Sequence, residues 1–163
     1  MHYFAYGSNM SIRRLRLRVP SARPCSVATL QGHELRFHKR GGDGSAKCDI
    51  HPAEDSLKSA IGVLFDIDPR DKPDLDRAEG LGVGYREVEV RLADPTGGLV
   101  RAFSYQAIEL DPCLKPFDWY KRHVLLGAQE NGLPPEYVAL IAAVEAIADS
   151  DRERHARELA IYL

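Results

Sequence analysis

The stretch "YREVEVRLADPTGGLVRAFSYQAI" (Tyr85–Ile108) sets two runs of alternating apolar and polar residues on either side of "DPTGG". Alternation of this kind reads as strand, and Asp-Pro-Thr-Gly-Gly reads as the turn joining two of them, so a β-hairpin is predicted. The chain differs on its two sides. Upstream, "HYFAYG" (His2–Gly7), "SVATLQGHELRFHKR" (Ser26–Arg40), "AKCDIH" (Ala46–His51) and "SAIGVLFDI" (Ser59–Ile67) are strand-like; the second divides around Gln31-Gly32, and "RGGDGS" (Arg40–Ser45) is a flexible loop. Two short helices interrupt them. "SIRRLRLRVP" (Ser11–Pro20) has Ser11 as a cap and Ile12, Leu15 and Val19 near one face. "DPRDKPDLDRAEG" (Asp68–Gly80) holds a helix that starts near Pro73 and stops at Gly80. Downstream of Pro112 the pattern turns helical: "PFDWYKRHVLLGAQENG" (Pro116–Gly132), then "LPPEYVALIAAVEAIA" (Leu133–Ala148) with Tyr137, Leu140, Ile141, Val144 and Ile147 on one stripe, then "SDRERHARELAIYL" (Ser150–Leu163), a last helix or a frayed tail. Strands first and helices after them indicate an α+β fold rather than an alternating parallel sheet. About six strands with so many turns can close into a small barrel.

The 163 residues fit a single domain spanning 1–163, with no linker, internal repeat or low-complexity segment. With 44% hydrophobic and 28% charged residues, the chain can bury a core without a disulfide or a metal. A formal net charge of −2 argues against a general nucleic-acid or anionic-membrane binder. Cys25, Cys48 and Cys113 lie far apart with no CxxC spacing, so they read as reduced thiols of a cytoplasmic protein. No apolar run approaches a membrane span, and "MHYFAYG" lacks the pattern of a signal peptide.

Several signals carry little. "GGDGSAK" (Gly41–Lys47) departs from phosphate-loop spacing and reads as a hairpin loop. Arg13, Arg14, Arg16 and Arg18 read as a solvated helix face. His51 and Glu54 lack the partners that would complete a metal site. Ser8 is not in a GxSxG elbow.

Two features remain. "FAYGSNM" (Phe4–Met10) runs a strand into Gly-Ser-Asn and then a helix start. Such a junction can aim several backbone N–H groups at one carboxylate or phosphate; by physics alone, plain turn chemistry is the simpler reading. The second is Glu79 in "LDRAEGLG", which falls beside Leu75 and Ala78 on what the spacing makes the apolar side, while Asp74 and Asp76 look solvated. Partial burial and the helix C-terminus would both raise its pKa toward that of a general base. A surface glutamate on a short helix fits the pattern equally well.

With "YFAYGSNM" (Tyr3–Met10) and "LDRAEG" (Leu75–Gly80) both present, the chain resembles the γ-glutamylcyclotransferase (AIG2-like) family. "PSA" (Pro20–Ala22), "SY" (Ser104-Tyr105) and "YKRHVLLGAQENGLPPEY" (Tyr120–Tyr137) extend the resemblance over most of the chain. It implies a small, mixed, mostly antiparallel β-barrel surrounded by helices. It implies an enzyme that converts a γ-glutamyl amide to 5-oxoproline, using no cofactor and no metal. Glu79 would be the catalytic carboxylate; Tyr3, Phe4, Ala5, Tyr6, Gly7, Ser8, Asn9 and Tyr105 would hold the substrate. The substrate's own amine is the nucleophile, so no Ser–His or Cys–His pair is required. "GLGVGY" (Gly80–Tyr85) and "HKRGGDGSAKCDI" (His38–Ile50), the latter resembling a bacterial branch, would border the leaving-group side. The expected partner is a small γ-glutamyl substrate, with neither nucleic acid nor membrane; "LAIYL" (Leu159–Leu163) offers a homodimer contact or packs on its own core. Three readings stand beside an amino-acid-releasing enzyme: a γ-glutamylamine cyclotransferase, a deprotecting enzyme of a biosynthetic pathway, and a non-catalytic binder of γ-glutamyl or carboxylate groups.

Overall fold

The computed structural model describes all residues, 1–163. Its strands are β1 (His2–Ala5), β2 (Arg23–Gln31), β3 (His33–Arg40), β4 (Ala46–Pro52), β5 (Ser59–Asp66), β6 (Tyr85–Ala93) and β7 (Leu99–Ala107); its helices are α1 (Ile12–Arg16), α2 (Lys72–Glu79), α3 (Asp118–Glu130), α4 (Pro135–Ala143) and α5 (Arg152–Leu159). Five strands close into a barrel in the order β1-β5-β2-β6-β7, and β3 and β4 form a separate two-stranded sheet. Every pairing is antiparallel except β1 against β7, where Tyr3 lies opposite Phe103. The expected α+β class and barrel are present, with five strands in the barrel rather than six.

The predicted hairpin is β6–β7, paired without a slip from Tyr85↔Ala107 to Ala93↔Leu99. Its turn is held by Asp94, whose Oδ1 accepts from the amides of Thr96 (2.8 Å) and Gly98 (2.9 Å). Gly62 in β5 lets β1 come close: a Cβ there would stand 2.3 Å from the Ala5 carbonyl oxygen. Phe4, Phe65, Leu92 and Val63 are buried in one continuous core that also takes in Leu75 of α2 and Val124 of α3. Burial of this kind stabilises by roughly 1.5–3 kcal/mol for each large side chain.

Two local expectations fail, and one open choice is decided. α4 stops at Ala143, and Leu140 and Ile147 are exposed at 67% and 42%, so the apolar stripe was longer than the helix. Ser11 occupies the N-cap of α1, yet its hydroxyl makes no cap bond and instead accepts from the Tyr162 hydroxyl at 3.0 Å. The C-terminal segment is a helix followed by a helical turn, Ala160–Tyr162, and Tyr162 packs on its own chain.

Candidate active site

α2 delivers Glu79. Pro73 opens the helix, and Gly80 (φ +65°) closes it in the left-handed conformation, with Leu81 N–H donating to Asp76 C=O at 2.9 Å. Glu79 is therefore the last helical residue, and its side chain is only 15% exposed. Its Oε1 accepts from the Asn9 side-chain amide at 2.8 Å and from the Arg18 guanidinium at 3.2 Å. Arg18 also donates to Asn9 Oδ1 (3.0 Å), and Asn9 donates to the Tyr3 hydroxyl (3.0 Å). The inward reading of Glu79 is thus the one realised. Its neighbours differ from expectation: Ala78 is exposed, and Arg18 provides a cationic partner.

The opening turn supplies the facing wall. Ser8–Met10 is one turn of 3-10 helix, and Tyr6, Gly7, Ser8 and Asn9 are all buried. Their four amide N–H groups donate to no backbone carbonyl. Buried donors without a partner are uncommon and mark places where a ligand can complete the pairing. The turn is clamped from behind by α3. Gly127 of α3 lies so close that a Cβ would stand 2.4 Å from Ser11 N, Asn131 donates to Met10 C=O at 2.9 Å, and Glu130 accepts from Ile12 N–H at 2.7 Å. The "GAQENG" segment is therefore the support of the "YGSN" turn.

Between Glu79 and the turn lies a pocket lined by Tyr3, Tyr6, Tyr85, Tyr105 and Tyr120, together with Gly7, Ser8, Asn9 and Cys48. Phe4 and Ala5, two of the expected substrate contacts, are outside this lining, because alternation along β1 turns Phe4 onto Gly62 in the barrel. Cys48, Tyr85 and Tyr120 were not foreseen. They are tied together: Tyr85 donates to Cys48 C=O (2.7 Å), and Cys48 N–H donates to the Tyr120 hydroxyl (3.0 Å). Asp76, read as solvated, accepts from the Tyr105 hydroxyl at 2.5 Å and from Lys72 at 2.7 Å. Tyr6 donates its hydroxyl to the Tyr105 carbonyl.

Burial decides what these groups can do. It pushes the Tyr3, Tyr6, Tyr85, Tyr105 and Tyr120 phenols far above their ordinary value, so all five stay neutral hydrogen-bonding groups. It pushes the Cys48 thiol up to about 12, so the sulfur is not a thiolate nucleophile near neutral pH. Glu79 is then the only carboxylate on the pocket wall.

Past Glu79 the pocket opens into a cleft of about 140 Å³ whose walls carry Arg14, Arg18, Lys39 and Lys47. Arg14 and Arg18 are not the solvated face the sequence suggested; Arg14 donates to Glu158 (2.6 Å) and to Ser8 Oγ (3.3 Å). The Gly41–Lys47 region is the β3–β4 hairpin loop, as expected, and Lys47 is held by Asp43 at 2.7 Å. A separate apolar groove between β3 and α4 has Glu34 and Lys58 as its charged groups, and these pair with each other at 2.8 Å. His51 lies near Asp49 and His38 rather than Glu54, and Asp49 accepts from His38 Nε2 at 2.9 Å.

A barrel with a buried Gly-Ser-Asn turn facing one helix-end glutamate defines a class, and comparison with known proteins identifies it. The chain belongs to the γ-glutamylcyclotransferase family; the model of the AIG2-like family matches residues 59–141. Bovine γ-glutamylcyclotransferase is 35% identical over 147 residues, covering 88% of this chain and 78% of the relative. The human protein of the same name is 34% identical over 151 residues, with the same coverage of each chain. A solved structure described as a γ-glutamyl cyclotransferase superposes with a TM-score of 0.84 at 28% identity, covering 97% of this chain and 98% of its own.

Proposed function

We propose that this chain cyclises a γ-glutamyl amide, releasing 5-oxoproline and the amine, with Glu79 as the proton carrier. One observation supports this above the others: the Glu79 carboxylate is held by Asn9 beside four buried amides of the Tyr6–Asn9 turn that have no backbone acceptor. In the reaction, the α-amine nitrogen attacks the γ-carbonyl carbon and closes a five-membered ring. Glu79 takes a proton from the α-ammonium, since only the free amine can attack. The turn amides receive the oxyanion that forms on the γ-carbonyl oxygen, or the α-carboxylate. As the tetrahedral intermediate collapses, the carbon–nitrogen bond to the leaving amine breaks and Glu79 returns its proton to that nitrogen; the ring nitrogen gives up its second proton to the released amine by way of solvent, leaving a neutral lactam and an ammonium. The neutral tyrosines hold the substrate bent. Oriented intramolecular attack lowers such barriers by about 7–11 kcal/mol.

Incubation of purified protein with γ-glutamyl-alanine, read out as 5-oxoproline, tests the reading. Turnover is expected, with a loss of about 10²–10⁴-fold in Glu79→Gln at an unchanged melting temperature. A Glu79→Gln variant as active as wild type overturns the mechanism. Ligand binding without turnover favours the non-catalytic reading.

A further inference from the structure

The cleft beyond Glu79 carries four cations, and three of them are already neutralised. Arg18 is paired with Glu79, Arg14 with Glu158 and Lys47 with Asp43. Lys39 has no carboxylate at ion-pair distance. Its ammonium lies over the Tyr85 ring, 4.9 Å from the centroid, and is half-buried. The site is built to hold it there. A Cβ on Gly84 would stand 2.8 Å from Lys39 Nζ, so the absent side chain at 84 makes the seat that the ammonium occupies. The same Cβ would stand 3.4 Å from the Glu79 carbonyl oxygen, which puts Lys39 beside the end of α2. The Lys39 backbone is fixed by its bridge to Leu110 and by the Arg40 N–H bond to Glu109 C=O at 3.0 Å.

We propose that Lys39 is a specificity-determining residue, whose ammonium receives the α-carboxylate of the amino acid released from a γ-glutamyl-amino acid. The inference rests on the cyclotransferase reading and adds to it the class of leaving group. Burial holds the Lys39 ammonium below its ordinary pKa against the pull of the Glu79, Glu109 and Asp43 carboxylates, none of them at ion-pair distance, and a bound carboxylate in direct contact would offset the cost of burial. The placement also separates the two ends of the substrate. The γ-glutamyl group lies among the tyrosines and turn amides, while Lys39 lines the outer cleft and not that pocket. An amine with a distant carboxylate, such as a γ-glutamyl group on a lysine ε-nitrogen, would not present its charge here.

The test compares γ-glutamyl-alanine with its neutral amide, γ-glutamyl-alaninamide, in wild type, Lys39→Met and Lys39→Arg. Wild type is expected to favour the acid by at least about 10-fold in kcat/KM, the scale of a charge-assisted contact. Lys39→Met should erase that ratio and Lys39→Arg should restore most of it. Wild type turning over both substrates equally, or Lys39→Met losing both by one common factor, overturns the assignment of Lys39 and leaves the cyclotransferase reading standing. The second of those outcomes would mean that Lys39 serves the glutamyl half or the fold. Release of no 5-oxoproline from either substrate by wild type overturns this inference; release of none from γ-glutamyl-ε-lysine as well overturns the cyclotransferase reading with it.

Discussion

Gly7 illustrates how a residue's reading depends on what stands behind it. By resemblance Gly7 is one of the residues that would hold the substrate. In the folded chain a Cβ at Gly7 would stand 2.9 Å from Cys48 Cβ and 3.6 Å from the Tyr120 hydroxyl. The backbone at 7 is not left-handed (φ −118°), so the glycine is needed for the close approach of β4 and α3. Gly7→Val is accordingly expected to destabilise the fold by about 1–3 kcal/mol, as overpacking does, measured by urea unfolding. Loss of substrate binding at wild-type stability would return Gly7 to the ligand. Glu79 shows the opposite. Its spacing from Leu75 and the stop at Gly80 offer the inward side as one of two equal readings, and the fold realises that one. Arg18 and Asn9, which hold it, are invisible to local spacing, because 61 and 70 residues separate them from it.

At the scale of an element, α3 sets two magnitudes against each other. Replacing a helical glycine with alanine usually stabilises by up to about 1 kcal/mol. Gly127 packs against backbone, with a Cβ placed 2.4 Å from Ser11 N and 2.6 Å from Met10 C, and backbone cannot move aside as a flexible side chain can. Packing should therefore win, and Gly127→Ala should lower the melting temperature and reduce turnover together. A variant more stable than wild type would mean that α3 does not bear on the turn. α4 teaches the same lesson about pattern. The stripe from Tyr137 to Ile147 is periodic, but only Tyr137 and Ile141 are buried: Leu140 lies on the helix yet faces out, and beyond it the chain leaves the helix at Val144 and turns toward the start of α3, where Ile147 C=O accepts from Asp118 N–H at 2.9 Å.

Across the whole molecule, the C-terminal segment is tied to the opening of the chain through one buried imidazole. His123 of α3 has no exposed surface; its Nδ1 lies 2.7 Å from the Tyr162 hydroxyl, and its Nε2 lies 3.1 Å from Arg14 and 3.2 Å from Glu158. Burial holds this imidazole below its ordinary pKa. The sign follows from linkage. The unfolded chain takes up the proton at a higher pH than the folded one, so the stability contributed by neutral His123 is present above about pH 6.5 and falls as the pH drops through that value. Melting temperature should decline more steeply between pH 7 and 5 in wild type than in His123→Gln. Equal slopes would exclude His123 as the source.

The chain by itself determined the class of fold, the hairpin and the two ends of α2, and left the inward and solvated sides of Glu79 equally open. Each of these rests on neighbours within a few residues, where periodicity and turn chemistry act. Only the tertiary structure decided that β3 and β4 leave the barrel, that Phe4 faces away from the site, and that tyrosines from three strands, the opening turn and one helix line one pocket with Cys48. Those outcomes depend on which surfaces meet across the core, and local pattern holds no information about that. The cations divide in the same way. Arg14 and Arg18 read as part of a solvated face until packing gives them their carboxylates; Lys47 finds Asp43 within its own loop, and Lys39 sits against Gly84 with no carboxylate at ion-pair distance.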